Sequence, residues 1–244
     1  MNARKTFSTA GRVLHQLRRD PPTLGLIFLI PAVLIIILRF AFQSRLSTFN
    51  NVAPMMQGIF PLIIIFAVTS VVTLRERVAG TLDRLMTMPI SKFDIIFGYS
   101  LAFGLIALLQ ASWTTFILLA VLHVPVLGGT WSLLIGGVIS ALLGMALGLF
   151  VSSFAKSEFQ AIQFMPAIVL PQFLICGFFI AREHMAILLQ WMANVMPLSY
   201  SVDAMKQITL HASRNSIFFK DMAIVIIYIF AVLILGTITI RRQE

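Results

Sequence analysis

Side chains that could carry acid–base or metal chemistry are few in this chain and lie far apart. The 244 residues include nine carboxylates and four histidines. The carboxylates are Asp20, Glu76, Asp83, Asp94, Glu158, Glu183, Asp203, Asp221 and Glu244, and the histidines are His15, His123, His184 and His211. All fall in predicted loops or at predicted helix ends. Since carriers driven by protons or sodium usually bury an acid within the bilayer, we expect no such acid here and no ion coupling.

Motifs for catalysis and for nucleotide binding are also absent from the sequence. It contains no HExxH pair, no GxSxG turn and no GxxxxGK[ST] phosphate loop. The single cysteine, Cys176, lies in an apolar run, cannot form an intramolecular disulfide and is interpreted as a small hydrophobic residue. We therefore predict a protein that is not an enzyme and binds no metal or cofactor itself. Any ATP must be bound by another polypeptide.

The composition requires that lipid be the solvent for most of this chain. Hydrophobic residues make up 59% of the sequence and charged residues 11%, and the mean hydropathy is +0.97. Soluble domains carry about 25% charged residues. The net charge of +9 is typical of basic cytoplasmic loops that face anionic lipid. Nucleic acid is therefore not an expected partner.

Six apolar runs are long enough to cross the hydrocarbon layer, which requires about 20 helical residues. They lie at 23–42, 55–74, 95–122, 131–154, 161–180 and 221–240. Because backbone groups must be paired within lipid, and because the runs lack the alternation of barrel strands, they are predicted to be helices. We expect an all-α integral membrane protein with one domain over 1–244 and a six-helix bundle over 23–240.

Basic residues predict the orientation of this bundle. With the N-terminus inside, the inner segments hold twelve lysines and arginines, and the outer segments hold five. The excess of basic residues on cytoplasmic loops then places both termini in the cytoplasm. The expected location is the plasma membrane or a bacterial inner membrane.

The first twenty residues are predicted to form a basic amphipathic helix in the inner membrane interface. Phe7, Ala10, Leu14 and Leu17 recur at helical spacing among basic residues. No small-residue cleavage site follows, so a cleaved signal peptide is not expected. The helix should stop at the Asp-Pro-Pro step that comes next, because proline lacks the donor that a continuing helix needs.

The cytoplasmic loop between the second and third spans, residues 75–94, has the pattern of a short surface helix. Its apolar stripe comprises Val78, Leu82, Leu85 and Met86. Pro89 ends that helix, and Ser91-Lys-Phe-Asp94 has the pattern of a capping box at the start of the third span. From the residues alone, two interpretations stay open. The helix rests on lipid headgroups, or its apolar side chains dock in a groove of a partner.

Two stretches of the sequence carry a family resemblance. The first has an acid, a Gly-Thr-Leu-acid step, a proline, a small residue, an acid and a glycine. These positions are Glu76, Gly80, Thr81, Leu82, Asp83, Pro89, Ser91, Asp94 and Gly98. The second stretch is Pro197-Leu-Ser-Tyr200, followed by Lys206. Both resemble ABC-2 type permeases, and the short loops place the chain nearest the small drug- and lipid-exporting ones. Three positions depart from the usual residues: Asp83 replaces glutamate, Tyr99 replaces lysine and Lys206 replaces arginine.

The resemblance implies two protein partners. One is a separate ABC ATPase subunit that binds ATP and magnesium, and the other is a second copy of this chain, or a related permease. The ATPase would dock on a coupling segment that comprises Glu76, Val78, Gly80, Thr81, Leu82, Asp83, Leu85, Met86 and Pro89. Closure of the ATPase dimer would then push on the coupling helix and tilt the second and fifth spans.

The resemblance also implies a substrate path and an outer gate. Spans two and five line the path at the dimer axis in this family. The candidate path residues here are Phe66, Thr69, Gln163, Gln172 and Phe173, and the candidate outer gate comprises Pro197, Leu198 and Tyr200. In this family the outer segment, residues 181–220 here, forms re-entrant helices that cap the path. The alternative is an amphipathic helix that lies on the outer leaflet.

Small residues repeat every fourth position along the fourth span. They are Gly136, Ser140, Gly144, Gly148 and Ser152. Such a stripe lets two helix backbones approach closely. We therefore predict tight packing of the fourth span within the bundle, in preference to a substrate groove.

The function implied is that of the membrane-spanning subunit of an ATP-driven exporter. It would move an amphipathic drug, antibiotic or lipid out of the cytoplasm or inner leaflet by alternating access. Export of a polysaccharide or lipid-linked glycan by the same mechanism is an alternative that the sequence does not separate. A passive channel or secondary carrier is a rival from another class. A membrane enzyme that acts on lipid would need a polar catalytic cluster, which the sequence does not supply.

Overall fold

A computed structural model describes residues 3–81, 91–211 and 216–239 of the chain. Within these ranges the chain forms nine α-helices and no strand. They are α1 (Ala3–Arg18), α2 (Pro21–Ala41), α3 (Leu46–Val78), α4 (Lys92–Phe116, continued by a π-helical turn, Ile117–Val121), α5 (Thr130–Ser152), α6 (Glu158–Ile175), α7 (Ile187–Val195), α8 (Pro197–Leu210) and α9 (Ser216–Thr239). We call the end of the bundle where α1 lies the inner end and the opposite end the outer end.

Six of the described helices are long and apolar enough to cross a membrane, namely α2, α3, α4 with its π-helical turn, α5, α6 and α9. The predicted all-α fold with six spans is therefore confirmed. The bounds differ most for two spans. The second runs for 33 residues, from Leu46 to Val78, because the helix continues through polar residues beyond its apolar run. The fifth ends at Ile175, since Gly177 has a φ of +89°, a conformation that favours glycine and commonly ends helices.

Short polar caps fix where several helices begin. The side chain of Asp20 accepts hydrogen bonds from Thr23 N at 3.3 Å and from Thr23 Oγ1 at 2.6 Å, while the two prolines that follow occupy the first turn of α2. Ser91 and Asp94 form the predicted capping box at the start of α4. Such a cap satisfies backbone donors that have no partner within the helix. The sequence therefore specifies the turns at the inner end, as well as the spans.

The packing of α3 against α5 is the central contact of the bundle. A Cβ atom at Gly144 would lie 2.2 Å from the backbone oxygen of Leu62, and one at Gly148 would lie 2.6 Å from the backbone oxygen of Phe66. Residues larger than glycine cannot occupy these positions without moving one of the two backbones. The predicted close packing of the small-residue stripe is confirmed. The second span is its partner at Gly144 and Gly148, and Met205 of α8 is its partner at Gly136.

Helix α1 packs against α4 at the inner end of the bundle. Its buried side chains are Thr6, Thr9, Ala10, Val13 and Leu17. A Cβ atom at Gly98 would lie 2.6 Å from Thr9 Cβ, so small residues on both helices allow the contact. Phe7, which the sequence places on the apolar stripe, is instead 67% exposed. The helix is predicted correctly, but its buried face is rotated because threonine fits against Gly98 and phenylalanine does not.

Candidate functional site

The candidate coupling site lies at the inner end of α3, where the helix leaves the bundle. Val78, at its last turn, is 65% exposed. The turn that follows contains Gly80, whose φ of +70° is one that residues with a Cβ atom rarely adopt. Leu82, Asp83, Leu85, Met86 and Pro89 of the predicted coupling segment lie outside the described residues. The structure therefore describes the two flanks of this segment, and its first turn through Thr81.

Three consecutive residues bind the inner end of α3 to the surrounding elements. Arg75 forms a bidentate pair with Glu158, the first residue of α6, with Nε–Oε1 and NH2–Oε2 distances of 2.9 Å. It also lies 3.7 Å from Asp20, which caps α2. Successive residues of a helix point about 100° apart, so the two residues that follow reach other neighbours. We call Arg75, Glu76 and Arg77 the inner hub.

Arg77 caps the C-terminal end of α5. It donates one hydrogen bond to Ser153 O at 2.6 Å and another to Ala155 O. The last carbonyl groups of a helix lack partners within the helix, and a guanidinium group satisfies them while favouring the negative end of the helix dipole. The inner ends of α3 and α5 are therefore joined both by this cap and by the glycine stripe.

Glu76 points into the protein and joins α3 to α1 and α4. Its side chain is only 3% exposed. Arg12 donates to Glu76 Oε2 at 2.7 Å and to the hydroxyl of Tyr99 at 3.2 Å, and that hydroxyl donates to the same Glu76 oxygen. Burial of Arg12 opposes its charged form, but the hydrogen bond and charge of Glu76 outweigh this effect, so the pKa of Arg12 is raised above its ordinary value.

This arrangement keeps the Glu76 carboxylate inside the bundle, away from direct contact with a docked protein. Because the carboxylate is buried and bonded to two side chains, its effect on a docked protein would be exerted through α1 and α4. At position 99, where the resembling family often has lysine, this chain has a tyrosine that contacts Glu76. The tyrosine hydroxyl supplies a neutral donor, and the positive charge that faces Glu76 comes from Arg12.

A second contact binds α1 to the far flank of the coupling segment. Thr6 Oγ1 lies 3.5 Å from Asp94 Oδ1, within the capping box of α4, and Thr9 packs on Gly98. Helix α1 thus contacts the chain on both sides of the loop, through Glu76 before it and through residues 94–99 after it. We call these contacts of Arg12, Thr6 and Thr9 the α1 clamp.

The α1 clamp predicts a measurable loss on removal of one hydroxyl group. Tyr99→Phe removes a donor to the buried Glu76 carboxylate and an acceptor for Arg12, so we expect a loss of about 1–2 kcal/mol. The decrease should be measured as a lower midpoint of thermal unfolding in detergent. Tyr228→Phe is the matched control, because its hydroxyl bonds to Val195 O at an exposed position and its removal should have the smaller effect. Equal decreases for the two variants would contradict the assignment.

The five candidate path residues do not share one surface. Phe66 and Thr69 are fully buried against α5, where a Cβ atom at Gly148 would approach Thr69 Cβ to 3.0 Å. These two positions therefore lie at the contact between α3 and α5 within one chain, Phe66 through its backbone oxygen and Thr69 through its side chain. The reason is that the same side of α3 meets the glycine stripe. Gln163, on α6, is exposed.

The other two candidate path residues lie where α6 meets the outer segment. Gln172 is buried, donates to Ile168 O at 3.1 Å, and accepts from the backbone N–H of Leu198 at 3.4 Å. Phe173 stacks on Phe178, with ring centroids 5.5 Å apart. Gln172 thus provides a side-chain acceptor for the first turn of α8. A predicted path residue and a predicted gate residue are in direct contact.

The outer segment contains a polar cluster centred on Arg182. Its guanidinium group pairs with Asp203 on α8, donates to Asn194 Oδ1 on α7 at 3.2 Å, and lies 5.7 Å from the centre of the Tyr200 ring. The hydroxyl of Tyr200 donates to Asn194 O at 2.6 Å. Pro197 begins α8. The three predicted gate residues therefore lie in one structural unit, which Arg182 holds together.

Acidic side chains are more buried than the sequence suggests. Glu76, Asp94 and Asp221 are each at most 6% exposed, although each lies near one end of its helix, as predicted. The first two are bonded within the α1 clamp. The third, on α9, is surrounded by protein at the outer end. Among the described residues no carboxylate lies in the middle of a span, and these three buried acids all lie near helix ends.

Sequence patterns did not reveal how four residues of these clusters, Arg12, Tyr99, Arg182 and Asp203, come together. Arg12 is separated from Glu76 by 64 positions, so no helical spacing connects the two. Arg182 and Asp203 lie on different helical elements of the outer segment. Tyr99 was signalled only by its departure from the family pattern.

Comparisons with known proteins agree with this architecture. The model of the family described as ABC-2 type transporter matches residues 5–210. ABC transporter G family member 20 of Dictyostelium discoideum is 30% identical over 146 residues, which cover 59% of this chain and 20% of that protein. The probable multidrug ABC transporter permease YbhR of Escherichia coli K12 is 27% identical over 171 residues, covering 70% of this chain and 46% of the relative. The inner membrane transport permease YhhJ of the same strain is 27% identical over 155 residues, covering 63% and 41%.

The chain spans less than half the length of these curated relatives. The family model nevertheless covers most of this chain, including α1, the inner hub, the flanks of the coupling segment and the outer segment through α8. Five of the six helices that can span a membrane lie within it, and α9 follows it. The chain therefore belongs to the ABC-2 type transporter family, as a multi-pass membrane permease.

Proposed function

We propose that this chain is the membrane-spanning subunit of an ATP-driven exporter, energised by a separate ABC ATPase. The observation that carries the proposal is the inner hub. The loop that resembles a coupling segment leaves the bundle where α3 is bonded to α1, α4, α5 and α6 and lies near the cap of α2. A force applied to this loop would reach five other helices through direct contacts.

The proposed transport cycle requires no energy source within the chain. The sequence has no phosphate-binding loop, and the described residues contain no group of three or more metal-binding side chains. ATP and magnesium would be held by the partner ATPase. Closure of that partner would displace residues 79–91 and tilt α3, which biases the permease between two conformations.

The proposed substrate is an amphipathic molecule such as a drug or lipid. The exposed faces of the spans are apolar, and polar groups on them are sparse: the exposed amide of α6 is that of Gln163. An amide exposed to hydrocarbon is costly, so this face of α6 should meet a polar cavity or a second copy of the chain. A dimer with α6 near its axis satisfies that requirement. The name of one relative, a probable multidrug permease, is consistent with this class of substrate.

Substitutions in the coupling segment test the proposal. Leu85→Asp and Gly80→Pro should abolish ATP-dependent transport, since the first places a charge on the predicted apolar face and the second requires a φ near −65° where the chain has +70°. Transport of a fluorescent hydrophobic cation and substrate-stimulated ATP hydrolysis should be measured in liposomes that contain the assembled complex. Leu85→Met keeps the side-chain volume and serves as the control.

Two outcomes would overturn the proposed function. One is undiminished transport and stimulated hydrolysis by both variants in a complex that still assembles. The other is uphill transport by the purified chain without an ATPase, which is the result expected for a secondary carrier. Downhill leakage by the chain alone would favour a passive channel.

A further inference from the structure

Arg182 joins all parts of the outer segment. It follows the glycine turn at the end of α6, and its guanidinium group contacts α7 through Asn194 and α8 through Asp203 and Tyr200. About a fifth of each charged side chain in the pair remains exposed, 21% for Arg182 and 23% for Asp203. The pair is thus partly shielded from water, where an ion pair is stronger than at a fully exposed surface.

Asp221 is a second carboxylate within reach of the charge of Arg182. It lies on the first turns of α9 and is 6% exposed. Its Oδ2 atom is buried and has no hydrogen-bond partner among the described residues. Arg182 and Lys220 are the cationic side chains that act on it, and Lys220 is exposed. A buried carboxylate oxygen without a partner is unfavourable, so its position requires an explanation that the closed cluster does not supply.

We propose that Arg182 is the latch of the outer gate, with Asp203 as its acceptor in the closed conformation described here and Asp221 as its acceptor in the open one. The inference rests on the proposed function, because it assigns a role in gating to residues of the same permease. Transfer of the guanidinium group from one carboxylate to the other keeps a charged pair in both conformations. Release of Asp203 frees α8, and with it Leu198 and Tyr200, from the turn at the end of α6.

The latch explains why Asp221 is buried with an unpaired oxygen. In the closed conformation one buried oxygen of the Asp221 carboxylate has no hydrogen-bond partner, which is unfavourable. Pairing with Arg182 on opening would supply that partner. Pairing with Asp221 therefore offsets part of the cost of releasing Asp203, so that a ligand can shift the element toward the open conformation. Arg182 acts as a positioning residue here, and it need not touch the substrate.

The single cysteine of the chain can report on the latch. Cys176 is fully buried and lies next to Gly177, where a Cβ atom would be 3.5 Å from Arg182 Cγ and 3.6 Å from Asp203 Oδ1. Burial raises the pKa of this thiol to about 11. The closed conformation thus protects the sulfur by lack of access and by a low thiolate fraction. When opening is fast, the labelling rate reports the population of the open form.

The experiment measures labelling of Cys176 by a membrane-impermeant maleimide in intact cells. Asp203→Asn should raise the labelling rate about tenfold or more over the parent chain, because it removes a partly shielded pair that only the closed conformation has. Arg182→Ala removes the charged pairs of both conformations together with the closed contacts to Asn194 and Tyr200, so it should raise the rate by a smaller factor. Arg182→Lys keeps the charge and should give an intermediate rate. Glu183→Gln changes the exposed neighbouring residue and is the matched control, with no expected change. The Asp203→Asn variant tests the latch even if Arg182→Ala fails to insert.

A second arm tests Asp221 in the complex with the ATPase. The parent complex should label faster with a non-hydrolysable ATP analogue than without nucleotide. Asp221→Asn should remove most of that increase and lower the resting rate, because it removes the acceptor of the open conformation and the unpaired charge of the closed one. A merely structural role for Asp221 would instead raise the resting rate, since the outer segment would loosen. Resting rates for the Arg182 and Asp203 variants equal to the parent rate would overturn the latch. An unaltered nucleotide effect in Asp221→Asn would overturn the second acceptor.

The two proposals fail separately. Resting labelling needs neither ATPase nor substrate, so a negative result there leaves the exporter proposal standing. Conversely, undiminished transport by the coupling-segment variants would contradict the exporter proposal without changing the labelling of Cys176. Labelling only from the cytoplasmic face would contradict the placement of the latch at the outer surface.

Discussion

Gly144→Leu is expected to prevent the bundle from folding. A Cβ atom at Gly144 would lie only 2.2 Å from the backbone oxygen of Leu62, and the remaining atoms of leucine would require α3 and α5 to separate. Overpacking commonly costs about 1–3 kcal/mol and more where backbone must move. The two helices cannot separate locally, because Gly148 meets Phe66 one turn away. We expect little or no monodisperse protein on size-exclusion chromatography in detergent.

Alanine substitutions give a graded form of this test. Gly144→Ala should lower the thermal midpoint markedly, whereas Gly104→Ala, whose Cβ would make an ordinary 3.5 Å contact with Leu142 Cδ2, should be nearly neutral. Both positions are in membrane spans, so the change in helix propensity is matched. Equal stability of the two alanine variants would show that the contact between α3 and α5 is looser than described.

Glu76→Arg is expected to disrupt the inner end of the bundle, and Arg12→Glu should do so less severely. The first variant places a cation beside Arg12 at a position that is 3% exposed, and breaking a buried pair in this manner commonly costs about 3–5 kcal/mol. Arg12 is 32% exposed, so a glutamate there can turn partly toward solvent. Both variants should reduce thermal stability in detergent and ATP-dependent transport in the assembled complex.

The exchanged pair separates charge from packing. Arg12→Glu combined with Glu76→Arg restores opposite charges, so it should recover part of the stability lost in each single variant, and double-mutant analysis should give a favourable coupling energy. Arg18→Glu is the control for charge on α1, because Arg18 is exposed and no ion pair holds it within the described residues. A double variant no more stable than Glu76→Arg alone would show that the contact is not electrostatic.

The spans and the glycine stripe could be predicted because both depend on local pattern. Apolar runs of sufficient length leave few alternatives to membrane helices, and a four-residue repeat from Gly136 to Ser152 indicates a close helix contact. The partner of the stripe was not predictable from that repeat. The resemblance assigns Phe66 and Thr69 to a path because it assigns the whole second span to one, whereas the contact of these two positions with Gly148 arises only from packing.

The polar clusters could not be predicted because their members are brought together only by tertiary packing. The α1 clamp joins Arg12 to Tyr99 across 87 positions, and neither residue carries a periodic signal toward the other. The same holds for Arg182, which contacts α7 and α8 from a turn. Phe7 shows a further limit. Hydrophobicity placed it on the buried side of α1, but shape decided otherwise, since only a small side chain fits at Gly98.

The length of α3 has a mechanical consequence for signalling across the membrane. A helix of 33 residues is about 50 Å long at 1.5 Å per residue, while the hydrocarbon layer is about 30 Å thick. One continuous helix, with Pro54 and Pro61 inside it, therefore connects the inner hub with the outer end, and between the two Gly58 packs on Ser201 O of α8. If α3 tilts about its middle as a rigid body, a tilt of about 5° moves its two ends by about 2 Å in opposite directions. In the proposed cycle, a displacement applied at the inner end would therefore reach the outer end with equal size and opposite direction.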